Sequence, residues 1–305
     1  MVRNVIFSII FLFSGSQCLF SKIRYTGNNK VFVTGSLESA NSYISYVSIN
    51  KKPYIIKQKK DNTKQIMAVA LEALASYIAK DLKIAQIVQI IEAKDPIPGK
   101  LYSSYPATLH TLASGKMVSQ LQGHKYFLLC LKQRDLKRNK IIGQWLTETI
   151  VDQITWHKHL AMIIALDLFI SNTDRNRRNL FYDEKTDSFC AIDMENIYKR
   201  NVAEMACEKL HQMIDIRQKE FSLEEVEALK IVNSTLKFLC KKYPPYKVIA
   251  CFDKYLALAG YVKNNSFIST KLLKKIERHK DMVKQCYEST QKLILILNDI
   301  TKKPE

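Results

Sequence analysis

Between Lys30 and Lys59 apolar and polar residues alternate, and β-branched and aromatic side chains dominate Val31-Phe-Val-Thr34, Tyr43-Ile-Ser-Tyr-Val-Ser48 and Tyr54-Ile-Ile-Lys57. A period of two puts successive side chains on opposite faces of an extended chain, so three strands are predicted here. Turns are expected at Gly35-Ser36-Leu37-Glu38-Ser39-Ala40-Asn41-Ser42 and at Asn50-Lys-Lys-Pro53, where small and turn-forming residues cluster. The period changes after Thr63. Ile66, Val69, Ala70, Ala73, Leu74, Tyr77 and Ile78 recur every three or four residues up to Leu82, without Gly or Pro, which predicts a helix carrying Glu72.

Asp95-Pro-Ile-Pro-Gly99 reads as a loop, and Tyr126-Phe-Leu-Leu-Cys-Leu131 as a buried strand or the apolar core of a connecting segment. From Ile141 onward helical periodicity takes over, with helices expected at Trp145–Gln153, Trp156–Ile170, Val202–Arg217, Ser222–Cys240, Val248–Ala259 and Thr270–Ile300. One exception interrupts them. Asn179-Leu-Phe-Tyr182 and Ser188-Phe-Cys-Ala-Ile192 flank the turn-forming Asp183–Asp187, the pattern of a β-hairpin. The fold class expected is therefore α+β in two lobes. A smaller β-rich lobe spans residues 22–135 and a larger, mostly helical lobe spans 136–305, with the division at the polar stretch Lys132–Lys140.

The first 21 residues have the layout of an export signal: basic Arg3, an apolar run Val5–Phe13, then small Ser14-Gly15-Ser16. Cleavage is expected between Ser16 and Ser21, which makes the protein secreted or periplasmic. An uncleaved anchor or a buried first strand is the alternative. The apolar run is short against the roughly 20 residues that span a bilayer. Seven cysteines (Cys18, Cys130, Cys190, Cys207, Cys240, Cys251, Cys286) are scattered without close pairs, which speaks against a zinc site or a CxxC redox centre. The net charge of +18 points either to an anionic partner (a membrane surface, nucleic acid or a phosphorylated small molecule) or to a basic surface that serves solubility alone. In residues 1–60 nine Lys/Arg face the single acid Glu38. No recognition helix or aromatic RNA motif accompanies the charge, so nucleic acid is not the expected partner.

Candidate chemistry concentrates in Asn172-Thr-Asp174-Arg175-Asn-Arg-Arg-Asn179. Transfer of a γ-phosphoryl group needs a carboxylate near the acceptor hydroxyl, oxygen ligands for a divalent cation, and a cation on the nucleotide phosphates. Asp174 and Asn179 are five positions apart, the interval between the aspartate and asparagine of a kinase catalytic loop. Asp193 follows at the end of the second hairpin strand, a rigid mount for a metal-binding carboxylate, with Glu195 as a reserve ligand. Upstream, Lys57 ends an apolar strand and Glu72 lies fifteen residues on in the helix, the order of a phosphate-binding lysine and its orienting glutamate. Lys59 shares the face of Lys57 and, with Lys60, competes for that role. Backbone N–H groups around Gly35, the serine after it and Asn41 could cover phosphates, although an ordinary hairpin turn explains that stretch equally well.

The run Leu166-Asp-Leu-Phe-Ile-Ser-Asn172-Thr-Asp174-Arg175-Asn-Arg-Arg-Asn179-Leu-Phe, continued by Ala191-Ile-Asp193, resembles the phosphatidylinositol 3/4-kinase and HipA-like branch of the kinase superfamily. Locally it is most similar to type II phosphatidylinositol 4-kinases, whose loop also begins Asn-Thr-Asp-Arg. The resemblance covers residues 160–200. It implies a two-lobed kinase-like fold binding ATP and Mg2+, with Asp174 facing the acceptor, Arg175 beside it in the catalytic loop, and Asn179 and Asp193 as metal ligands. Two departures stand out: Asn176 replaces a histidine common in relatives, and the nucleotide loop is poor in glycine. A HipA-like protein Ser/Thr kinase and an inactive kinase fold serving as a binding module are the alternatives. Arg175, Arg177 and Arg178 make the loop cationic, suited to an inositol lipid on an anionic membrane or to bracing by acidic side chains.

Overall fold

The computed structural model describes residues 7–12, 20–24, 31–38, 42–59, 62–93, 106–118, 157–175, 177–212, 214, 221, 223–260 and 270–302. The chain forms two compact units, Met1–Tyr77 with Gln86–Leu112 and Ala250–Lys274, and Ile78–Ala85 with Ala113–Ile249 and Lys275–Glu305. The division falls after Leu112, upstream of the polar stretch 132–140, and residues 250–274 return to the first unit. The expected loop 95–99 and the segments 126–131 and 145–153 lie outside the described residues.

The first unit is built on an antiparallel sheet of seven strands in the order β2-β1-β6-β7-β5-β4-β3. These are β1 (Phe7–Leu12), β2 (Phe20–Arg24), β3 (Val31–Glu38), β4 (Ser42–Ile49), β5 (Lys52–Lys59), β6 (Val88–Ala93) and β7 (Pro106–Thr111). β4 and β5 meet in a tight hairpin with Ile49 opposite Lys52. The two turn residues, Asn50 and Lys51, both have positive φ (52° and 64°), the geometry whose twist matches that of paired strands. The strand therefore resumes at Lys52, a residue earlier than the turn expected up to Pro53. The apolar run read as an export signal, with a buried first strand as the alternative, supplies β1, which pairs with β6.

Helix α1 (Asn62–Ala79) follows β5. Met67, Ala70, Leu71, Leu74, Ala75 and Ile78 are buried along it, together with Glu72 and Ser76. The Ser76 hydroxyl donates to Gln86 O at 3.0 Å and accepts from Val88 N at 2.9 Å, which seats the start of β6 on the helix. Strands β6 and β7 have no counterpart in the sequence reading. Val88-Gln-Ile-Ile-Glu-Ala93 alternates over too short a stretch, and β7 carries polar Thr108 and His110, which are nevertheless buried.

The second unit contains α2 (Lys158–Phe169), a three-stranded sheet in the order β10-β9-β8, α3 (Val202–His211) and α4 (Leu223–Lys242). The strands are β8 (Lys116–Met117), β9 (Leu180–Asp183) and β10 (Ser188–Ala191). α5 (Pro245–Leu258) and α6 (Thr270–Lys302) have parts in both units. α2 is buried almost all round, as expected of a central helix, and packs on α4. α5 starts three residues earlier than its periodicity suggests, because a proline at the first helical position loses no hydrogen bond. The hairpin β9–β10 is the one the sequence indicates. β8 is not, and it depends on Gly115: with φ of +86°, a Cβ there would lie 2.0 Å from Tyr182 O.

The α+β class, with one sheet-rich and one mostly helical unit, is thus as expected. No described helix is long and apolar enough to cross a membrane. Cys190, Cys207, Cys240 and Cys286 are thiols, and burial pushes Cys240 up to about 12 and the other three up to about 11. None of these four is a nucleophile at neutral pH.

Candidate active site

The two groups of functional residues predicted from sequence lie in different units. In the sheet unit, Lys57 Nζ lies 3.4 Å from Glu72 Oε1, with the side chains 13% and 3% exposed. The sheet register explains the rest of this centre: Thr108 on β7 stands directly opposite Lys57 on β5. Thr108 Oγ1 is 3.3 Å from Glu72 Oε2 and 3.4 Å from Lys57 O. A hydroxyl carries one proton, and the carboxylate is its stronger acceptor. His110 Nε2, 2.8 Å from the same Oγ1 and 3.7 Å from Glu72 Oε2, then serves as a donor to Thr108. Glu72 is thereby held from two sides with Oε1 turned to the lysine. Thr108 and His110 were not identified from sequence because the strand that carries them was not.

Gly35 lies within β3, paired with Tyr46, and the register shifts between Val33 and Gly35. The strand continues through position 37 to Glu38, so the expected turn begins later than Gly35. Asn41 lies outside the described residues.

In the helical unit the loop after α2 is held by a buried ion pair. Arg175 Nε donates to Asp167 Oδ2 at 2.8 Å and Nη2 to Asp167 Oδ1 at 3.0 Å. The Arg175 and Asp167 side chains are 0% and 1% exposed. The fork of the guanidinium matches a carboxylate in this two-bond manner. Its remaining nitrogen, Nη1, donates to Asn179 O at 2.7 Å and Ile192 O at 2.9 Å. One side chain therefore ties helix α2, the end of the loop and the residue before Asp193 together. Sequence reasoning set Arg175 in the catalytic loop, with acceptor binding and bracing by acidic side chains as its two readings. With four of its five N–H groups directed to Asp167, Asn179 and Ile192, its observed contacts are those of a brace.

Asp174 is fixed by its neighbours. Asn172, fully buried, donates from Nδ2 to Asp167 Oδ1 at 2.9 Å and accepts the Asp174 N–H on Oδ1 at 3.1 Å. Asn179 Nδ2 donates to Asp174 O at 2.9 Å, which orients the amide oxygen of Asn179 away from that carbonyl. Ile192 N–H donates to Asn179 O at 3.1 Å, so the loop and the end of β10 share hydrogen bonds. Asp193 follows with φ of 54°, a left-handed conformation that aspartate tolerates better than most residues. Its carboxylate oxygens and those of Glu195 include a pair within 4.8 Å of one another. Asp193 and Glu195 offer carboxylate oxygens of the kind a hard divalent cation takes, the amide oxygen of Asn179 is a donor of the same chemical class, and in that sense these residues fit magnesium.

Asn196 was also missed. Its Nδ2 donates to Asp174 Oδ2 at 3.1 Å from a segment with no regular structure. Asp167 did leave a signal, as the sole polar residue in the apolar stretch Leu160–Ile170. Arg178 is exposed, and the side chain of Arg177 and all of Asn176 lie outside the described residues.

No family model matches the chain, and no curated protein does. Among solved structures the chain is similar to a proinflammatory kinase, CtkA, of Helicobacter pylori, at 12% identity and a TM-score of 0.48 over 91% of this chain and 98% of that one. It is also similar to a spectinomycin phosphotransferase solved with ADP and spectinomycin, at 12% identity and a TM-score of 0.28 over 86% of this chain and 93% of that one. Both TM-scores are below 0.5, and the chemistry below rests on the side chains alone.

Proposed function

We propose that the protein is an ATP- and magnesium-dependent phosphotransferase that moves the γ-phosphoryl group to an alcohol hydroxyl. The observation that carries this reading is the anchoring of Asp174. Its backbone N–H, its carbonyl and one carboxylate oxygen are each held by an asparagine side chain, from Asn172, Asn179 and Asn196. A carboxylate held this way is preorganised to orient an acceptor hydroxyl and take its proton as the oxygen attacks phosphorus, a contribution worth about 10²–10⁴ in rate.

Asn179 and Asp193, with Glu195, would hold magnesium, which neutralises developing charge on the phosphates when bound. Lys57 would pair with the nucleotide phosphates, and Glu72 keeps its ammonium directed. Arg175 touches no reacting group in this scheme and acts by holding Asn179 and Ile192 in place. The exposed cations Arg178 and Arg200 favour an acceptor that already bears phosphate, and an inositol lipid head group on an anionic membrane fits them best. Export, read from the first 21 residues, belongs to the same proposal, with the protein acting outside the cell that makes it.

The test is magnesium-dependent ATP turnover by the full chain, offered inositol lipid vesicles or a generic basic protein as acceptor. Asp174→Ala should lose two or more orders of magnitude in kcat, consistent with the roughly 10²–10⁴ above, and Asp193→Ala should lose magnesium dependence. Label in protein and not lipid would select the HipA-like alternative. A chain that binds no nucleotide would overturn the reading in favour of a binding module.

A further inference from the structure

Residues 192–200 link β10 to α3 without any regular ladder, yet their course is over-determined. Tyr198 has φ of 51°, an outlier for a bulky residue, at a cost of about 1–3 kcal/mol. It is kept there by burial, at 3% exposure, and by its N–H donating to Ile170 O at 3.0 Å at the end of α2. Asn196 is fastened in turn. Its carbonyl accepts from the backbone N–H of Thr173 at 3.2 Å and from Thr173 Oγ1 at 3.3 Å. Its side chain then meets Asp174 Oδ2 through Nδ2, while Oδ1 accepts from the ammonium of Lys199.

The two ends of that amide face opposite charges. In the observed orientation the donor meets a carboxylate and the acceptor meets an ammonium. Flipped, oxygen would oppose carboxylate and NH2 would oppose ammonium, both repulsive. Lys199 therefore fixes which end of Asn196 reaches Asp174.

Building on the phosphotransferase reading above, we propose that Asn196 is a positioning residue for Asp174 and that Lys199, by setting the polarity of the Asn196 amide, holds the carboxylate in one orientation toward the acceptor hydroxyl. Neither residue needs to touch ATP. Asn196→Ala should therefore lower kcat about ten- to a hundredfold, the cost of a misplaced catalytic group, with KM for ATP unchanged. Asn196→Asp should be worse than Asn196→Ala, because it sets a second carboxylate against the first. Lys199→Ala should lose less, and Lys199→Arg should recover most of that loss.

A second measurement does not depend on turnover. In the full chain labelled with 15N-asparagine, the side-chain amide of Asn196, assigned by its absence in Asn196→Ala, should shift in both Asp174→Ala and Lys199→Ala. An amide unmoved in either variant overturns the proposal. So does an Asn196→Ala protein with wild-type kcat, or one that loses kcat only in step with ATP affinity and thermal stability. If the wild type turns over no ATP, the phosphotransferase reading fails while the amide shifts still decide whether the Lys199–Asn196–Asp174 chain exists.

Discussion

The centre in the sheet unit and the centre in the helical unit solve the same problem, holding a charged side chain still, by different means. Lys57 and Glu72 sit on a strand and a helix, and the backbone ladders of those elements do most of the positioning. A 3.4 Å contact between them, with Thr108 and His110 behind Glu72, adds to this. Asp174 and Asp193 sit in irregular backbone with left-handed residues at Ser171, Asp193 and Tyr198. No ladder is available there, so side chains take over: a buried Arg175–Asp167 pair and three asparagines. The lesson is that a loop site needs its own internal scaffold of polar groups.

Breaking the scaffold should give the largest effect. Arg175→Met leaves the Asp167 carboxylate buried without its partner, and we expect a loss of about 3–5 kcal/mol in urea unfolding. Adding Asp167→Leu should return much of that stability, since an apolar pair avoids the desolvation cost, but should not restore the loop or activity. Recovery of activity in the double variant would show that the pair is not the brace described.

Gly115→Ala tests the support behind the loop. The added methyl would collide with Tyr182 at a positive φ, and a loss of about 2–3 kcal/mol is expected from strain and overpacking. A circular dichroism melt would measure it.

At the sheet centre the same kind of change should cost less. Glu72→Gln keeps the shape and the Thr108 contact but leaves the partly exposed Lys57 ammonium without its opposite charge, so a loss of about 1–2 kcal/mol is expected. ATP affinity, by contrast, should fall about tenfold as Lys57 loses its directing charge. A large stability loss in isothermal denaturation would erase the distinction between the two centres.

The smallest effect concerns acid. Burial pushes the His279 imidazole below its ordinary 6.5, and the charges of Lys275, Lys199 and Arg278 add to this, against the bond to Lys275 O. A group depressed in the folded state takes up its proton more readily when unfolded. Its contribution is therefore complete above the ordinary value and lost as pH falls below it. Urea midpoints should drop between about pH 8 and about pH 5.5, and His279→Gln should flatten that slope.

Much of this molecule was legible from its residues. The period-two and period-3.6 patterns placed β3 to β5, α1, the β9–β10 hairpin and the later helices, because each is a local repeat that buries one face. The intervals Asp174 to Asn179 and Lys57 to Glu72 were legible for the same reason, since short-range spacing along a defined element survives in one dimension.

Tertiary structure decided the rest. β6 and β7 are held by neighbours far along the chain, and only the register of β7 on β5 brings Thr108 beside Lys57. The bracing reading of Arg175 rests on Asp167, eight residues upstream, whose carboxylate takes two of its N–H groups in a buried pair. Gly115 and Tyr198 owe their roles to backbone angles that no composition announces. Asn196 reaches Asp174 across twenty-two positions of chain. Sequence spacing names the groups able to do chemistry. Their burial, partners and backbone angles depend on contacts between distant segments, so folding alone sets which of them face a reactant and which only hold others in place.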